Sequence, residues 1–84
     1  MKFYIDTIEQ IVSNGSLTEY GAREKKNDEQ SALTAFYQKL SNVAADLGKG
    51  HTYMDIKIVN SEGGCIKKDS VGTYQEESNN VPAE

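Results

Sequence analysis

The stretch Lys2-Phe3-Tyr4-Ile5-Asp6-Thr7-Ile8-Glu9-Gln10-Ile11-Val12 runs directly into Ser13-Asn14-Gly15-Ser16, and how this junction is read decides the fold. β-Branched and aromatic residues dominate the first part, as suits a pleated, half-buried strand, and Asn14-Gly15 supplies the positive φ angles of a tight hairpin turn. Residues 17 to about 25 are then the return strand. With Asn14 and Gly15 as a two-residue loop, paired positions sum to 29, so Val12 faces Leu17, Glu9 faces Tyr20, and Asp6 faces the cationic Arg23. A bulged loop would pair positions summing to 28 and set Glu9 against Glu19, a like-charge contact, so the two-residue loop is preferred. Under that register Phe3, Ile5, Thr7, Ile11, Tyr20 and Ala22 share the expected core face, and Tyr4, Asp6, Ile8, Gln10, Glu19, Arg23 and Lys25 share the other.

From Asn27 the period changes. Asn27 followed three residues later by Gln30 has capping-box spacing, and Asp28 and Glu29 set negative charge at the positive end of a helix dipole. Leu33, Phe36, Tyr37, Leu40, Val43, Ala44 and Leu47 recur at helical intervals as one apolar stripe, and Gly48 supplies the left-handed stop. Residues 51–60 alternate again, with Met54, Ile56 and Ile58 on one face and Tyr53, Asp55, Lys57 and Val59 on the other, which is a third strand. Ser61-Glu62-Gly63-Gly64 is a second turn, and Cys65 to about Gln75 is a fourth strand whose register the two glycines leave open.

The order strand, strand, helix, strand, strand predicts an α+β domain (ββαββ) over residues 1–75, with one helix across one face of a four-stranded, mainly antiparallel sheet. Strands two and four carry most of the charge, and charged strands discourage pairing with other chains when placed at edges, so the predicted spatial order is 2-1-3-4. Residues 76–84, rich in Glu, Ser and Asn with almost nothing to bury, read as a disordered acidic tail.

An 84-residue chain has room for a single small core. Its one Cys forms no internal bridge, which places the chain in a reducing, cytoplasmic setting. Asp6 and Glu9 interrupt any signal-like apolar run, and no stretch is long enough to cross a membrane. The net charge is −4, but Glu76, Glu77 and Glu84 supply three of those negatives, so the body up to Gln75 carries only −1. A nearly neutral body creates no field that gathers nucleic acid.

No motif carries an enzymatic chemistry or implies a cofactor or metal. His51, the only histidine, reads as a strand-start residue, and Cys65 as a tolerated thiol beside a turn. Gly48-Lys49-Gly50 and Gly63-Gly64 match no phosphate-binding fingerprint, and Asn14-Gly15-Ser16 fits a glycosylation sequon only as a turn that happens to match.

One helix covers only one face of such a sheet, so the expected functional surface is the face left open. Its apolar candidates are Tyr4, Ile8, Val12, Leu17, Tyr53 and Val59, and the expected role is a non-enzymatic module that binds a protein partner or a second copy of itself as a homodimer. The alternative is a weak binder of single-stranded nucleic acid or another anionic ligand through a strip of Lys57, Lys67, Lys68 and Tyr74 on strands three and four.

Overall fold

A computed structural model describes residues 1–75 and contains the elements β1 (Phe3–Ser13), β2 (Ser16–Lys26), α1 (Glu29–Asp46), β3 (His51–Asn60) and β4 (Cys65–Gly72). The acidic segment expected beyond Gln75 lies outside the described residues. The four strands form one antiparallel sheet in the order β2-β1-β3-β4, with α1 packed on one face, as the element order and the edge-strand argument predicted. The first hairpin has the two-residue loop, with Asn14 at φ 54° and Gly15 at φ 80°, and its register sums to 29 from Phe3↔Lys26 to Ser13↔Ser16.

The helix starts one residue later than the capping-box spacing implied. Asp28 is the N-cap: its Oδ1 accepts the Ser31 backbone N–H at 2.7 Å, and its Oδ2 accepts the Ser31 hydroxyl at 3.1 Å. Asn27 accepts instead from the Lys2 ammonium, at 3.4 Å. The core is built on Phe36, which is fully buried with Ala32 and Val43 against Phe3 and Ile5 of β1 and Met54, Ile56 and Ile58 of β3. Tyr37, expected in the apolar stripe, is 51% exposed, because the helix presents the Ala32-Phe36-Val43 line to the sheet and turns Tyr37 outward. Tyr20 and Ala22 do lie on the helix side of the sheet. Both are exposed nonetheless, because α1 rests over β1 and β3 and leaves edge strand β2 largely bare. A Glu24–Lys39 ion pair of 3.4 Å ties β2 to the helix.

Two irregularities interrupt the alternation. In the central pair, Gln10 faces Tyr53 but Ile11 faces His51, so Thr52 is an extra residue in β3. In the outer pair, Ile58 faces Lys67 but Val59 faces Cys65, so Ile66 is the extra residue of β4. β4 ends at Gly72, earlier than expected, and the chain leaves the sheet there at φ 82°. A side chain at Gly72 would collide with the Thr52 carbonyl oxygen and with Leu47 Cδ2, whereas one at Gly15, also at positive φ, would meet open space.

Urea unfolding separates these two glycines. Gly72→Ala is expected to cost roughly 2–4 kcal/mol, from left-handed strain plus overlap, and Gly15→Ala about 1 kcal/mol, from the backbone alone.

Candidate functional site

The registers place every apolar candidate, Tyr4, Ile8, Val12, Leu17, Tyr53 and Val59, on the sheet face opposite the helix. They form separate spots. Tyr4 and Val59 are cross-strand neighbours near one end, Val12 and Leu17 near the other, and Ile8 stands between, 44% exposed, beside Gly21. Polar rows separate them. One row reads Arg23, Asp6, Lys57, Lys68 across the four strands, with Lys25 in the row before it. Arg23 grips Asp6 through two bonds of 2.6 and 2.8 Å while its guanidinium lies 4.7 Å from the Tyr4 ring centre. The bond from Arg23, against the cost of burial and helped by the nearby Lys57, holds the Asp6 carboxyl below its usual range. Farther along the strands Asp55 and Glu19 make the open face acidic.

The Lys/Tyr strip expected on strands three and four does not assemble. Lys57 and Lys68 are cross-strand partners on the open face, but Lys67, one position away, points to the helix side, where its ammonium sits 5.5 Å from the Tyr37 ring centre and 6.0 Å from that of Phe36. Adjacent strand residues alternate faces, so Lys67 and Lys68 cannot line one surface. Tyr74 lies past the end of β4, where its ring meets Tyr53 edge-on with centres 5.3 Å apart and its hydroxyl donates to Glu19 Oε1 at 2.9 Å. Cys65 is an exposed free thiol.

The chain thus folds back over its own open face. After Gly72, the Thr73 N–H donates to the Thr52 carbonyl at 3.1 Å, and Tyr74 and Gln75 cross β3 and β1 toward β2. Beneath them Gln10 is fully buried, with its amide bonded through both its oxygen and its nitrogen. Oε1 accepts the Gln75 backbone N–H at 2.8 Å, and Nε2 donates to the Gln75 carbonyl at 2.9 Å and to Glu19 Oε1 at 3.2 Å. Burial of the Tyr53 phenol, with the charges of Asp55 and Glu19 close by, pushes its pKa up.

On the helix side, His51 takes up a position that strict alternation does not predict. Counting back from Tyr53 in steps of two would put His51 on the open face. The extra residue Thr52 turns it to the other side, where Nε2 lies 2.8 Å from Glu9 Oε1 and Nδ1 lies 2.8 Å from Asp46 Oδ2 at the end of α1. Tyr20 donates to the same Glu9 oxygen at 3.3 Å. Burial disfavours the charged imidazole, but the bonds to Asp46 and Glu9 outweigh it and raise the His51 pKa; the His51 bond in turn lowers that of Asp46. Burial, then the Glu9 charge, raises that of Tyr20. Both ring nitrogens are thus engaged by carboxylate oxygens. The cluster is a tie between β1, β2, β3 and the negative end of the helix dipole. Among the described residues no group of three or more His, Cys, Asp or Glu side chains is arranged to hold a metal ion, and no helix is long and apolar enough to cross a membrane.

The raised His51 pKa means that its contribution to stability is fully present below the ordinary imidazole value of about 6.5 and is lost as pH climbs through the folded value. Asp46 acts on the acid side, its contribution disappearing as pH falls below the usual carboxylate range. Between about pH 6 and about pH 9, urea unfolding should show the wild-type chain losing of order 1 kcal/mol more than His51→Gln, which lacks the titrating ring. Comparisons of the chain with protein-family models, with curated proteins and with solved structures give no match, which leaves its own geometry as the basis for a functional reading.

Proposed function

We propose that the chain is a non-enzymatic interaction module whose open sheet face stacks on the same face of a second copy. The observation that carries this reading is the division of charge along the strands. Lys25, Arg23, Lys57 and Lys68, opposed only by Asp6, lie to one side of Ile8, and Asp55 and Glu19 lie level with it or beyond. A surface split this way complements itself: a two-fold axis lying between two sheets and running across their strands sets the basic rows of each copy over the acidic rows of the other. Ile8 stands near the centre, beside Gly21 of β2.

Four strands at about 4.8 Å spacing and about nine residues of length give a face of roughly 550–600 Å² per copy. The strap of residues 73–75 lies over part of that face, so stacking would bury at most about 1,100 Å² in total, at the small end of specific interfaces, and the dimer is expected to be weak. The anion-binding alternative is less well supported, because Lys67 lies on the helix side and the remaining pair, Lys57 and Lys68, adjoins Asp6.

Sedimentation velocity from about 10 µM to about 1 mM should show the mass rising toward a dimer, with the association weakening as salt is added. Ile8→Asp should hold the chain monomeric with its circular-dichroism spectrum unchanged. A wild-type chain that stays monomeric at about 1 mM overturns the reading.

A further inference from the structure

The contact between Gln10 and Gln75 has the chemistry of peptide recognition. A primary amide that accepts from the N–H and donates to the C=O of a single residue reproduces the pair of bonds one strand residue offers another, and it reads backbone without regard to the side chain attached. Selectivity comes from the residue before. The Tyr74 ring packs edge-on against Tyr53, and its hydroxyl reaches Glu19, whose same oxygen also accepts from Gln10 and so orients the amide. Main-chain bonds for affinity and a side-chain contact for choice are the division of labour in strand-type peptide binding.

The occupant is held separately from the fold. The strap carries no core residue, both Tyr74 and Gln75 are exposed, and the turn at Gly72 followed by the single Thr73–Thr52 backbone bond joins it to the sheet. Lifting it breaks no strand pairing. It uncovers a buried polar amide that bonds both the N–H and the C=O of Gln75.

We infer that Gln10, Glu19 and Tyr53 form a binding site for an extended, tyrosine-containing peptide segment, filled in cis by the chain's own Thr73-Tyr74-Gln75. An intramolecular occupant competes at an effective concentration of about millimolar, so the site is closed to dilute peptide until the strap is released. All of these contacts lie within one chain and need no stacked second copy.

The test uses the full chain at concentrations where sedimentation shows a monomer, and a fluorescent peptide copying residues 71–77. Tyr74→Ala with Gln75→Pro opens the strap, since the first loses the aromatic contact and the second loses the N–H that Gln10 accepts. The peptide is expected to bind this double variant at least about tenfold more tightly than wild type. Alanine in place of the peptide's tyrosine, or N-methylation of its glutamine, should each weaken binding about tenfold, and both changes leave the protein's folding untouched. In the nitrogen-correlated NMR spectrum, the Gln10 side-chain amide should move on peptide addition. Equal affinity for the wild-type and opened chains, indifference to N-methylation, or no binding to the opened chain at about millimolar peptide would each show the strap to be an intramolecular lock only.

Discussion

The extra residue at Thr52 organises one whole end of the molecule. Its insertion opposite the Gln10–Ile11 step turns His51 from the open face to the helix side, where the ring meets Glu9 and Asp46 together. On its β4 side the Thr52 carbonyl accepts the Thr73 N–H, one step beyond the Tyr53–Gly72 pair, and the strap across the opposite face starts there. Gly72 is required there because that carbonyl occupies the space a side chain would need. One irregularity in a central strand therefore sets up the ion cluster on the helix side of the sheet, as bulges do when they re-aim neighbouring side chains.

The layering follows from the number of helices. A single helix buries Phe36 against β1 and β3 and leaves most of β2 uncovered, so Tyr20 and Ala22 stay exposed on the side that nominally faces the core. Tyr20 turns this to use by donating to Glu9, which connects an otherwise bare edge strand to the His51 cluster. The Glu24–Lys39 ion pair is a second connection of the same kind. It is exposed and adds little stability, yet it lies where no apolar contact is available.

On the open face, charge is better organised than hydrophobic surface. Tyr4 is overlaid by Arg23 and Tyr53 by Tyr74, so two of the aromatic candidates are partly covered by the chain itself, and Ile8 and Val12 remain the more exposed aliphatic side chains. A surface with separated apolar spots and segregated charge suits weak, oriented association better than a permanent interface with a continuous dry core. The strap covers part of this face without contributing to the core.

The features legible in the sequence were the periodic and local ones. The 2-1-3-4 order, the register from the Asn14-Gly15 turn and the face shared by Tyr4, Ile8 and Val12 follow from alternation, turn chemistry and the placement of charge on edge strands. These depend on residues adjacent in the chain or paired through a turn of known geometry. Tertiary structure decided what strict periodicity cannot express. His51 joins Glu9 across 42 residues and Gln10 joins Gln75 across 65; the first contact depends on a one-residue insertion that carries no sequence mark, since Thr52 looks like any other strand residue, and the second on a chain segment that returns across the sheet. The assignment of Lys67 to the helix side follows from β3–β4 pairing, which the turn glycines left open and only the packed sheet selects. A bulge costs little locally and is chosen by the sum of distant contacts it permits, and for that reason the ion cluster could be found only in the folded molecule.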